Sequence, residues 1–168
     1  REGDSVPVAQ AEGDPVLRTV PLDEGDAVSE PLADALAVAQ ANALRLGLPV
    51  QFALGAWLQP WAGQRFGLIV SNPPYIADAE MAALAPEVRD WEPKRALTPG
   101  GDGLAAYRII AAGAPARLMP GGRILLEIGP TQGGTVSALL QAQGMEAIYV
   151  LPDLDGRDRV VCASKPKG

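Results

Sequence analysis

Apolar positions recur along this chain with two different periods, and each change of period marks an element. Leu32, Leu36, Ala39, Ala43 and Leu46 follow one another at three- and four-residue spacing and Gly47 comes next, which predicts a helix with a glycine stop. Residues 50–54 alternate as a short strand, and residues 66–70 (Phe-Gly-Leu-Ile-Val) form a nearly continuous apolar run. Such a run predicts a strand of a parallel sheet covered on both faces. Residues 80–89 read as a short helix and residues 99–103 as a glycine-rich loop. Helical spacing returns over 104–118 through Leu104, Tyr107, Ile110 and Ala111. Pro120-Gly121-Gly122 predicts a turn, 123–128 a buried strand, and 131–143 a helix closed by Gly144. Residues 147–151 and 157–163 read as two strands joined by a turn over 152–156.

Strands alternating with helices predict an α/β fold with crossover units and a mostly parallel sheet. The last two strands have no room for a crossover helix, so they should form an antiparallel pair at one end of the sheet. Residues 1–26 differ from the rest: Glu2-Gly3-Asp4, Glu12-Gly13-Asp14 and Asp23-Glu24-Gly25-Asp26 carry acid and glycine with little periodicity. They are expected to be an atypical, poorly ordered segment, with a short strand around 16–20, ahead of a domain over 27–168.

Composition narrows the function classes. The chain has 168 residues, 48% hydrophobic and 20% charged, as in one ordinary globular domain. It has no histidine and a single cysteine, Cys162, which excludes a histidine-based triad and leaves almost nothing for a zinc site, so no metal is expected. A formal net charge of −6 makes a poor partner for a phosphate backbone, so no direct nucleic-acid contact is expected. No apolar stretch is long enough for a bilayer and no signal-peptide pattern is present; the expectation is a cytoplasmic monomer away from membranes.

The most specific chemistry follows the apolar run at 66–70. Ser71-Asn72-Pro73-Pro74-Tyr75 places a rigid polar corner at the carboxyl end of a strand, where open α/β sheets bind ligands. Proline fixes its own φ and restricts the residue before it, so two in succession hold the Asn72 side chain and the Pro73 carbonyl in one arrangement. Both oxygens are acceptors, and a planar NH2 group offers two donors. Accepting both aims the substrate nitrogen, which is catalysis by positioning. Asn72 and Pro73 are therefore the candidate catalytic residues, and Asn72, Pro73, Pro74 and Tyr75 the substrate-binding set, with Tyr75 giving an aromatic face for a flat group or a sulfonium. Glu30, just before the first helix, is placed to accept hydrogen bonds from ribose hydroxyls; Asp26 competes for that role. Trp57, after the strand at 50–54, reads equally well as a cover for an adenine ring and as half-buried packing.

Ser71-Asn72-Pro73-Pro74-Tyr75-Ile76 resembles the central motif of the HemK (PrmC) family, the protein-(glutamine-N5) methyltransferases of peptide-chain release factors. Other segments are similar in the same order: Gly55-Ala56-Trp57-Leu58, Glu92-Pro93 with Ala96-Leu97, Gly100-Gly101-Asp102-Gly103-Leu104, Glu127-Ile128-Gly129, and Gly156-Arg157-Asp158-Arg159-Val160-Val161. The resemblance spans about residues 27–168. It implies a class I, Rossmann-like S-adenosylmethionine-dependent methyltransferase fold. It further implies transfer to the glutamine amide of the Gly-Gly-Gln motif of class 1 release factors. Asn72–Tyr75 would hold that glutamine; Glu30, Trp57 and Asn72 would contact the methyl donor. The four-residue corner is shared with adenine-N6 DNA methyltransferases, the runner-up reading, which would require base flipping.

Three departures from the family pattern stand out. No Asp-x-Gly-x-Gly-x-Gly donor loop occurs in residues 1–34, the small N-terminal helical domain is missing, and Ala56 replaces the usual aspartate before the tryptophan. The chain is thus expected to be an N-terminally truncated or frame-altered member lacking its first strand and donor loop. A non-catalytic remnant is the third reading.

Overall fold

The computed structural model describes residues 18–20 and 30–168, with side-chain placement from residue 34. The chain divides into two compact units, Arg1–Ala56 and Trp57–Gly168.

In the first unit, strand β1 (Arg18–Val20) runs parallel to β2 (Phe52–Leu54), with Arg18 opposite Phe52 and Val20 opposite Leu54. Helix α1 (Glu30–Arg45) connects them, giving the crossover that parallel strands require. The helix begins two residues before the first apolar position of its pattern. It ends as the sequence predicts: Gly47 takes a φ of +64°, and the Leu48 N–H returns to the Ala43 carbonyl at 2.9 Å. Three residues of the segment read as a tail thus form a strand; the rest of 1–26, Asp26 included, lies outside the described residues.

The second unit is a four-stranded sheet in the order β3 (Phe66–Ser71), β4 (Leu118–Glu127), β6 (Asp158–Ser164), β5 (Glu146–Pro152). β3 and β4 are parallel, whereas β6 is antiparallel to both β4 and β5. The predicted antiparallel pair at one end of the sheet is therefore present. The sheet as a whole is mixed, because β6 inserts between β4 and its own hairpin partner.

Two helices, α4 (Ala105–Arg117) and α5 (Gly133–Ala142), cover one face. Tyr107, Ile110, Ala111 and Ala114 from α4, with Val136 and Leu140 from α5, bury against Ile69, Ile124, Leu126, Ile128, Val161 and Ala163. Burying this apolar layer is the main stabilising term of the unit. The opposite face carries Leu68, Val70, Tyr149 and Leu151, all exposed. The expectation that residues 66–70 are covered on both faces is corrected here. Among the described residues β3 lies at the edge of its sheet; Ile69 is buried in the core and Phe66 packs against it, while Leu68 and Val70 are exposed.

Smaller corrections have local causes. Pro120-Gly121-Gly122 does not end a strand. Pairing runs from Phe66–Leu118 to Leu68–Arg123 across an irregularity, and Gly121, at φ +74°, absorbs the extra residues. The helix read over 80–89 is two pieces, a 3-10 turn at Asp78–Ala83 and a short α2 (Pro86–Arg89), divided by Leu84 and Ala85 in extended conformation before Pro86. A further short helix, α3 (Lys94–Leu97), follows. Among the described residues no helix is long and apolar enough to cross a membrane.

Candidate active site

β3 delivers Ser71 to the carboxyl end of the sheet, and the chain leaves it directly into Asn72. Asn72 is exposed, Pro73 is buried, and Pro74 and Tyr75 are half-buried. Buried Pro73 anchors the corner beside exposed Asn72. Among the described residues no hydrogen bond engages the Asn72 side chain or the Pro73 carbonyl.

The chain beyond the corner is held by the loop over 97–103. The Ile76 N–H donates to the Leu97 carbonyl at 3.0 Å and the Asp78 N–H to the Gly101 carbonyl at 3.0 Å. In return the Gly101 N–H donates to Asp78 Oδ2 at 2.7 Å. Buried Thr98 fixes the start of that loop by accepting the Gly100 N–H at its Oγ1, 2.9 Å away. Gly103, at φ +76°, packs directly on the Tyr75 carbonyl, leaving no room for a side chain.

Tyr75 itself is gripped at both ends. Gln132 Nε2 donates to the Tyr75 carbonyl at 2.9 Å, while Gln132 Oε1 accepts the Gly129 N–H at 3.0 Å. At the ring's far end Arg159 Nη1 lies 3.4 Å from the Tyr75 hydroxyl and 3.4 Å from the Ile128 carbonyl. Arg159 Nη2 donates to Asp153 Oδ2 at 3.2 Å, with Glu127 Oε1 at 3.9 Å from Nη1. The Arg157 backbone N–H foremost, together with the Arg159 guanidinium, holds the Asp153 carboxyl below its ordinary range. Asp153 thus stays anionic and keeps Arg159 in place.

The sequence-assigned residues are not all brought together. Asn72, Pro73, Pro74 and Tyr75 form one continuous corner. Trp57, at the strained φ of +50°, lines a separate groove of about 160 Å³ with Leu58, Gln59, Ile109, Gly113, Ala116 and Arg117; none of Asn72–Tyr75 contributes to it. Leu58 enters that groove because Gly113 has no side chain: a Cβ there would lie 3.3 Å from Leu58 Cδ1. Glu30 is the first residue of α1, and its side chain lies outside the described residues.

Three residues of the corner's support had no role assigned from sequence: Gln132, Arg159 and Gly103. Arg159 and Gly103 lie inside motif segments that carry the family resemblance, whereas Gln132 has no comparable signal. Of the three donor-side assignments Asn72 is the one at the corner, and among the described residues no hydrogen bond engages its amide.

No family model matches the chain. Curated relatives do. It is 60% identical over 134 residues to the release factor glutamine methyltransferase of Cereibacter sphaeroides, covering 79% of this chain and 48% of that protein. It is 46% identical over 127 residues to that of Geobacter sulfurreducens, covering 76% and 45%. It is 48% identical over 135 residues to that of Xylella fastidiosa, covering 80% and 49%. The chain spans about half the length of the curated relatives it matches. Among solved structures, a methyltransferase from Pyrococcus furiosus matches with a TM-score of 0.61 at 14% identity, covering 90% of this chain and 63% of that one, a likeness of fold alone. Over about four-fifths of its length, then, the chain is a relative of the release factor glutamine methyltransferases, built on part of a class I S-adenosylmethionine-dependent methyltransferase fold.

Proposed function

We propose that this chain carries the acceptor-binding part of a protein glutamine-N5 methyltransferase, acting in the cytoplasm on the Gly-Gly-Gln motif of class 1 release factors. The observation that carries the reading is the corner at the end of β3. Asn72 is exposed with its amide unengaged among the described residues, and Tyr75 behind it is fixed at its carbonyl and its hydroxyl. Asn72 Oδ1 and the Pro73 carbonyl would accept the two N–H groups of the glutamine amide. An amide nitrogen is a weak nucleophile because its lone pair is delocalised, so orientation is the main contribution open to the protein. Asn72 and Pro73 are neutral, so these two acceptors contribute no titratable base. The methyl group would come from S-adenosylmethionine, for whose ribose and adenine Glu30 and Trp57 are the candidates.

Mass spectrometry of a release factor incubated with the chain and S-adenosylmethionine tests this. The expected product carries one methyl on the glutamine of Gly-Gly-Gln. An unmodified release factor beside methylated adenine in duplex DNA would reassign the substrate.

A further inference from the structure

Gln132 sits at the N-terminal boundary of α5, and each polar atom of its side chain has a single assignable role. Gly129 presents an N–H, so the side-chain oxygen must face it; Tyr75 presents a carbonyl, so the side-chain NH2 must face that. The backbone is engaged too: the Gln132 N–H donates to the Gly129 carbonyl at 3.0 Å and its own carbonyl accepts the Val136 N–H at 2.9 Å. A Cβ on Gly103 would stand 3.2 Å from Gln132 Nε2, so the amide is confined from that side as well. The Tyr75 ring is held by Arg159, which Asp153 holds in turn; Asp153 Oδ1 accepts the backbone N–H groups of Asp155 and Arg157, each at 2.9 Å. The corner at 72–75 is therefore fixed from one side by β3 and from the other by two side chains on separate elements.

We propose that Gln132 and Arg159 are positioning residues that clamp Tyr75 at its carbonyl and its hydroxyl, and through it set the direction of the Asn72 and Pro73 acceptors. The proposal rests on the glutamine-amide reading above. Glutamate at position 132 keeps the shape and the acceptor for Gly129 but removes the donor, setting an oxygen against the Tyr75 carbonyl. Protonating that introduced carboxyl restores an O–H donor. Methionine at position 159 keeps the bulk and removes the contact with the hydroxyl.

The test uses the whole chain with two readouts. The first is its discrimination between a Gly-Gly-Gln peptide and the matching Gly-Gly-Glu peptide, which lacks the NH2 donors. The second is the 19F spectrum of the chain labelled with 3-fluorotyrosine. It contains three tyrosines, and Y75F identifies the Tyr75 signal. In Q132E and R159M the Tyr75 signal should shift and broaden, and preference for the glutamine peptide should fall by about tenfold or more while the melting transition stays close to that of the parent. In Q132E both changes should reverse as the pH is lowered through titration of the introduced carboxyl. Unchanged discrimination and an unchanged Tyr75 signal in both variants would overturn the clamp. A parent chain with no preference for glutamine, combined with a Tyr75 signal that moves in Q132E, would overturn the glutamine reading and leave the clamp supported.

Discussion

The Tyr75 carbonyl rests against the bare α-carbon of Gly103. A Cβ on Gly103 would overlap that oxygen, and would also lie 3.1 Å from the Ala77 nitrogen. The φ of +76° adds backbone strain for any L side chain. G103A should therefore destabilise the fold by about 1–3 kcal/mol, read by chemical denaturation. Gly134 gives the contrast. It lies in the first turn of α5, where an added methyl would meet nothing within 4 Å, so G134A should stabilise by about 0.5 kcal/mol.

Tyr107 is fully buried and donates its hydroxyl to the Glu127 carbonyl at 2.7 Å, tying α4 to the end of β4. Y107F should cost about 1 kcal/mol. Burial foremost pushes the Tyr107 phenol well above its ordinary pKa. The unfolded chain loses that proton more readily, so this group takes stability away as the pH rises above about 10. In an ultraviolet-monitored alkaline titration Tyr107 should ionise only as the chain unfolds, and that late step should vanish in Y107F.

The Arg108 guanidinium, followed by the Leu104 backbone N–H, holds the exposed Asp102 carboxyl at about 2, below the ordinary 3.8. A depressed folded value stabilises above the ordinary range and ceases to do so as the pH falls through about 2. An NMR titration of the Asp102 carboxyl should find its midpoint near 2, and R108L should move it up toward 3.8. The Asp102 contribution to stability should fade between these two values.

One-sided coverage of the sheet gives a paired prediction. Leu126 is fully buried, and Val70, which the register sets opposite the neighbouring Leu125, is exposed on the other face. L126A should cost about 2–5 kcal/mol, whereas V70A should stay within about 0.5 kcal/mol of the parent. Equal losses in urea denaturation would show that the second face is covered after all.

What the sequence made legible follows the range of the forces involved. The corner at 72–75 could be read because its cause is local: an apolar strand, then two prolines. The order of elements after residue 100 was readable for the same reason, with Gly144 at φ +75° closing α5 and the hairpin turn lying between β5 and β6. Gln132 was not readable, because its partner Tyr75 is 57 residues away and a lone glutamine among glycines carries no period. The exposed side of β3 was hidden for a different reason. A short apolar run looks the same whether one face or two are covered, and only the placement of α4 and α5 decides which. The groove that Trp57 lines beside α4, where Gly113 admits its neighbour Leu58, was not readable either, because its two walls lie fifty or more residues apart in the chain.

On the proposed reading, two neutral oxygens, on Asn72 and Pro73, receive both hydrogens of a glutamine side-chain amide. Titrating the chain with a Gly-Gly-Gln peptide labelled with 15N at that amide follows both hydrogens directly by NMR. Both side-chain N–H signals should move downfield together on binding to the parent chain, and N72A should abolish the shift while keeping the parent's folded spectrum. Two N–H signals left unmoved at saturating protein, or a shift that survives in N72A, would refute that arrangement.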